Sequence, residues 1–243
     1  MLIIAISITM NKYIMFCGMS FAGKKEYRQM SVEYLVQERK VAPELISIVD
    51  DPKSTEFGEK IVQFDRVEDK INNTVSGALY ISASCNIYDN LISTALKNNQ
   101  YIFCKGGFPE VVGYQGAVCQ DQGFSWEMVK KHYTDQVQTT HKTVQFPDII
   151  FICVNSFIRS QIMAKCSNSK SWESKMTVDE YNHYSNKMRA TYEIIVADHE
   201  FTARTKVLLI DPMDCTFAKT WESQIKPEID QLMGLVTETC DYC

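Results

Sequence analysis

Basic charge is in short supply in this sequence. Its 243 residues carry 25 Lys and Arg against 30 Asp and Glu, a formal net charge of -5. A surface built to follow a nucleic-acid backbone needs the opposite balance, so nucleic acid is not expected as a partner. Histidine is scarce. The four present, at 132, 141, 183 and 199, show no metal-ligand spacing with cysteine, and no Ser/His/Asp arrangement is legible, so no metal site is assigned. Nothing is long and apolar enough to span a bilayer. The run Met1–Met10 falls far short of the ~20 residues required and has no basic segment before it, so no membrane association is expected. With 6 Pro and 10 Gly, no repeat and no low-complexity stretch, nothing divides the chain, and residues 1–243 read as one domain. Cysteine is plentiful at nine, but the number is odd, the spacing irregular, and several lie inside apolar runs such as Ile149–Cys153. That excludes an obvious disulfide framework and suits a reduced, cytoplasmic protein.

What is present is an average globular composition, 45% apolar and 23% charged. Met10 precedes a good strand, Tyr13–Cys17, so residues 1–9 are expected to be an extension, with Met10 the favoured start. Residues 235–243, ending Cys240-Asp-Tyr-Cys243, are expected to be a frayed tail. Further strands are expected at Leu45–Val49, Tyr101–Cys104, Ile149–Val154 and Lys206–Ile210. Helices are expected over Lys24–Arg39, Thr55–Asp69, Asn73–Asn98, Phe157–Lys165, Val178–Asp198 and Thr216–Gly234. Tyr181, Tyr184, Met188 and Tyr192 recur at helical spacing and are assigned to packing, as is Trp126. The alternation of strand and helix predicts an α/β three-layer sandwich around a five-stranded parallel sheet. Ligands of such sheets bind beyond the carboxyl ends of the strands.

The first strand runs into Gly18-Met-Ser-Phe-Ala-Gly23-Lys24-Lys25, which fits GxxxxGK but lacks the following Ser or Thr. Glycines let a backbone wrap a phosphate, the amides at a helix start point inward, and the lysine reaches the terminal phosphates. Gly18, Ser20, Ala22, Gly23, Lys24 and Lys25 are therefore the candidate phosphate-binding residues. Lys25 and Glu26 stand where hydroxyls would serve magnesium and phosphate, so the usual magnesium ligand is missing. The bland alternative is a strand-to-helix turn with a surface lysine.

Four later segments carry a family resemblance. Asp51-Pro-Lys-Ser-Thr-Glu-Phe-Gly-Glu-Lys-Ile61 resembles EPGGTxxGEKI of the thymidylate kinases, and Gln100–Gly116 resembles their strand followed by DRY…AYQG. Phe146–Ile152 resembles the KPDLxxxL strand, with Val207–Asp211 as a last strand ending Ile-Asp. The resemblance implies a P-loop nucleotide-kinase fold, ATP and Mg2+ if the protein is active, and a homodimer formed through packed helices. It places Tyr80, Ser84, Tyr114 and Gln115 in the acceptor-nucleotide pocket. It also sets Arg159, Lys165, Lys170 and Lys175 around a lid, although ordinary surface charges on a solvated loop explain those four equally well.

The departures bear on function. The family's loop carboxylate falls on Ser20 and its neighbouring glycine on Phe21; its Asp-Arg pair falls on Lys105 and Gly106, and its base-pairing arginine near Ser84. Phosphoryl transfer is positioning plus charge neutralisation, so these losses remove most of what a kinase contributes. Two readings follow. The favoured one is a pseudokinase that keeps the fold for nucleotide binding, assembly or regulation with an unidentified protein partner. The alternative is an active kinase transferring phosphate from ATP to dTMP or a modified pyrimidine deoxynucleotide. In it, Lys24 neutralises the donor, Lys105 replaces the acceptor-side arginine, and Asp51 or Asp50 helps to hold magnesium.

Overall fold

The computed structural model describes residues 12–67, 73–119, 124–155, 176–211 and 216–234. Its centre is one sheet of five parallel strands: β1 (Tyr13–Gly18), β2 (Ile46–Asp50), β3 (Tyr101–Lys105), β4 (Ile149–Cys153) and β5 (Lys206–Ile210), in the order β2-β3-β1-β4-β5. Position in the sheet explains composition. β1 and β4 are buried along their whole lengths, so both of their faces are covered and they read as unbroken apolar runs. β2 lies at an edge and leaves Ile48 exposed. Register sets the chemistry at the strand ends: Asp50 stands opposite Lys105, and Gly18 opposite Cys153.

Helices α1 (Lys24–Gln37), α2 (Glu56–Val67) and α3 (Asn73–Ile87) precede β3. α3 passes through a wider turn at Tyr88–Ile92 into α4 (Ser93–Lys97), so the long helix expected over 73–98 carries a π-type bulge. Between β3 and β4 lie α5 (Phe108–Cys119) and α6 (Trp126–Gln138), neither of which the sequence pattern disclosed. α5 begins on a Gly-Gly turn and is apolar nearly all round, being buried between β1, α3 and a later helix, so it shows no clear amphipathic period. α6 is announced by a single side-chain cap, Ser125 accepting from the Met128 amide. α7 (Val178–Ala197) starts with a complete capping box made by Thr177 and Glu180. The short α8 (His199–Thr202) leads to β5, and α9 (Phe217–Thr220), a π-type turn and α10 (Lys226–Leu232) close the described chain.

Two groups of helices cover the sheet. α1 packs on β1, β3 and the C-terminal helical run, while α5 packs on β1 and carries α3, α6 and α7 outside it. Tyr181, Tyr184, Met188 and Tyr192 are all buried, as their spacing predicts, and Trp126 sits in an aromatic cluster with Phe108 and Phe201. Cys17, Cys85, Cys104 and Cys153 are free, buried thiols. Burial pushes the Cys153 thiol up to about 12 and keeps it inert. Among the described residues, no helix is long and apolar enough to cross a membrane. The expected N-terminal extension at 1–9, the helix at 157–165 and the tail at 235–243 lie outside the described residues.

Candidate functional site

The carboxyl ends of β1, β2 and β3 bring together three small polar clusters. The first is the loop between β1 and α1. Gly18 has φ +120°, and a Cβ there would stand 2.1 Å from the Cys153 carbonyl oxygen. Only glycine lets the chain leave β1 this close to β4, where the Met19 amide donates to that carbonyl at 2.8 Å. Phe21 carries φ +59°, an unfavourable region for a bulky side chain, and its carbonyl accepts from Asn155 Nδ2 at 3.1 Å. The backbone thus bends in the left-handed sense at the position where the resemblance places a glycine. Gly23, with φ +88°, caps α1; a Cβ there would lie 2.5 Å from the Phe217 ring. Ala22 is fully buried and Lys25 is exposed.

Lys24 opens α1 and turns back over the loop. Its Nζ donates to the Gly18 carbonyl at 2.6 Å and forms a close ion pair with Glu110, in the first turn of α5. The same Nζ lies 5.9 Å from the centre of the Tyr114 ring, whose hydroxyl shares a 2.8 Å hydrogen bond with Ser20 Oγ. Ser20, Lys24 and Tyr114, three residues singled out from the sequence, are therefore neighbours. Glu110 was not singled out. Its only sequence signal is an acidic residue just after Gly106-Gly107, which says nothing of a partner 86 positions away.

The second cluster joins the ends of β2 and β3. Asp50 Oδ1 accepts from Arg28 Nη1 at 2.8 Å and pairs with Lys105 Nζ at 2.9 Å. Arg28 is one helical turn beyond Lys24 on α1, so both point at the strand ends; it also donates to the Val49 carbonyl at 2.8 Å. Loss of water opposes ionisation of Asp50, but hydrogen bonds and charge from Lys105 and Arg28 outweigh it and hold the carboxyl below its usual range. Arg28 was missed as well, since a buried arginine on a helix looks like any surface charge in sequence.

Asp51 and Ser84 make the third cluster. The Asp51 amide donates to the Lys105 carbonyl at 2.8 Å, and the peptide to Pro52 is cis. Shielding from water pushes the Asp51 carboxyl up to about 7, opposed by the Ser84 hydroxyl and assisted by the charge of Glu110. Ser84 is buried on α3, whereas Tyr80, Tyr114 and Gln115 are half-buried. Gln115 faces α3: a Cβ on Gly77 would lie 3.2 Å from its Cγ. The lid candidates Arg159, Lys165, Lys170 and Lys175 lie outside the described residues. Among the described residues, no group of three or more His, Cys, Asp or Glu side chains is placed to hold a metal ion.

Chemically, Lys24, Arg28 and Lys105 each already have an anion. Lys24 is matched by Glu110, and Arg28 and Lys105 share Asp50. No family model and no curated protein matches the sequence. Among solved structures, the chain is similar to thymidylate kinase from Ehrlichia chaffeensis, with a TM-score of 0.64 and 16% identity over 90% of this chain and 98% of that one. At that identity the likeness is one of fold, and the five-stranded parallel α/β sandwich of this chain is the fold of that kinase.

Proposed function

We propose that this protein is a thymidylate-kinase-like pseudokinase: it keeps the nucleotide-kinase scaffold and a phosphate-type loop, and it does not transfer phosphate. The observation that carries the reading is the internal pairing of the charges a kinase directs at its substrates. Lys24, the residue for donor phosphates, is tied to Glu110 and to the Gly18 carbonyl. Lys105, the replacement for an acceptor-side arginine, is tied to Asp50. A phosphate entering either place has to break an ion pair that is already formed and partly shielded from water.

The side chains also suit magnesium badly. Lys25 occupies the hydroxyl position, and Asp50 is shared by two cations. On this reading the fold serves weak nucleotide binding, assembly or regulation. The pocket residues Tyr80, Ser84, Tyr114 and Gln115 would face any nucleoside that enters, and homodimerisation stays a proposal of the resemblance.

The test is a thermal-shift titration with ATP and magnesium, with and without dTMP or another pyrimidine monophosphate, followed by chromatography of the nucleotides. The expected result is no phosphoryl transfer, with any shift caused by ATP abolished in Lys24→Ala. Formation of ADP together with a nucleoside diphosphate would overturn the proposal and restore the active-kinase reading.

A further inference from the structure

We infer that Glu110 is a built-in competitor for phosphate: its carboxylate occupies the anion position of Lys24, and a nucleotide's polyphosphate binds the loop only by displacing it. The inference rests on the loop being a phosphate site and is independent of whether transfer occurs.

Three observations converge on this role. Lys24 and Glu110 are paired at the mouth of the loop with side-chain exposures of 13% and 19%, so the pair is shielded enough for its charges to matter. An ammonium offers three donors; the Gly18 carbonyl takes one and the Glu110 carboxylate another, and both acceptors belong to the protein. Glu110 is also held in place for this contact. It lies in the first turn of α5, where a negative charge is favoured, and its amide donates to the Gly107 carbonyl at 2.9 Å.

A further observation concerns Gly106. A Cβ at this position would come within 3.1 Å of Glu110 Oε2 and within 2.5 Å of the Asp51 carbonyl oxygen, and its φ of +89° disfavours any side chain. The resemblance puts an arginine there. Its replacement by glycine leaves room for the Glu110 carboxylate, so the missing acceptor-side cation and the occupied lysine are two consequences of one local rearrangement. The Ser20–Tyr114 hydrogen bond joins the loop to the same helix one turn beyond Glu110, so displacement of the carboxylate would be felt on α5.

The competitor sets the class of ligand. A singly or doubly charged anion such as inorganic phosphate gains little by replacing a carboxylate already in contact. A triphosphate has further oxygens for the loop amides, so it is the better displacer. The experiment is calorimetric titration of the full chain with tripolyphosphate and with ATP in EDTA, on wild type, Glu110→Gln, Glu110→Ser and Lys24→Ala/Glu110→Gln. The expected result is an affinity gain of about tenfold or more in at least one single variant, equal to about 1.4 kcal/mol, and its loss in the double variant. Unchanged or weaker binding in both single variants overturns the inference, as does a gain that survives without Lys24. Failure of both single variants to fold also overturns it, because the pair would then be structural. Whether wild type transfers phosphate is read separately from the nucleotide products, so the two proposals fail independently.

Discussion

Asp50→Asn tests the charge cluster at the end of β2 most directly. The substitution keeps size and shape but removes the anion shared by Arg28 and Lys105. Arg28 has only 8% of its surface exposed and would keep just the Val49 carbonyl as a strong acceptor. Breaking a fully buried pair costs about 3–5 kcal/mol, and an exposed pair is worth about 0.2–1 kcal/mol. The Asp50 side chain is 38% exposed, so solvent screens part of the interaction and the expected loss is about 1–3 kcal/mol. For a chain of this length that lowers Tm by about 2–12 °C.

The pH dependence gives a second check with a defined sign. The folded carboxyl of Asp50 is held below its usual range, so its contribution is fully present above the ordinary carboxylate value near ~4 and is lost as pH falls through the lower folded value. Wild type and Asp50→Asn should therefore differ most near neutrality and converge on acidification. The assay is thermal melting across that range, with inorganic phosphate added in a parallel series. Freed Arg28 and Lys105 should make the variant gain more from phosphate than wild type does. Equal melting temperatures at neutral pH would refute the reasoning, and so would a difference that grows with acidity.

Two further substitutions probe other parts of the same frame. Gly18→Ala places a methyl group 2.1 Å from the Cys153 carbonyl at a φ of +120°, so the junction of β1 and the loop must move; the expected outcome is a severe loss of stability, seen as poor soluble yield or a collapsed melting transition, and a normally melting variant would contradict it. Asp198 accepts from Lys130 at 2.6 Å, Trp126 Nε1 at 2.8 Å and the Phe201 amide at 3.0 Å. Loss of water opposes its ionisation, but these donors lower its carboxyl to about 2, so the stabilisation is present above pH ~4 and disappears as pH falls toward 2. Asp198→Ala should cost on the order of 2 kcal/mol at neutral pH by chemical denaturation, and an unchanged midpoint would count against the assignment.

The sequence by itself determined the five strands and the long helix after the fourth, because burial on both faces forces unbroken apolar runs such as Ile149–Cys153 and helical spacing forces the set Tyr181, Tyr184, Met188 and Tyr192. It also located the loop, since Gly18, Gly23 and Lys24 are contiguous and their conformational demands are local. It did not disclose α5, whose burial on nearly every side erases the amphipathic signal, or α6, marked by little more than Ser125. Asp50, Asp51 and Lys105 were legible as charges at strand ends, but their partners were not. A carboxylate's role depends on which cation stands within a few ångströms, and parallel strands with long crossovers bring distant residues together: Asp50 meets Lys105 through the β2–β3 register, and Glu110 meets Lys24 because α5 starts beside the loop. Local chemistry could therefore name the loop lysine, while only the tertiary structure decided that its charge is already answered from within the protein.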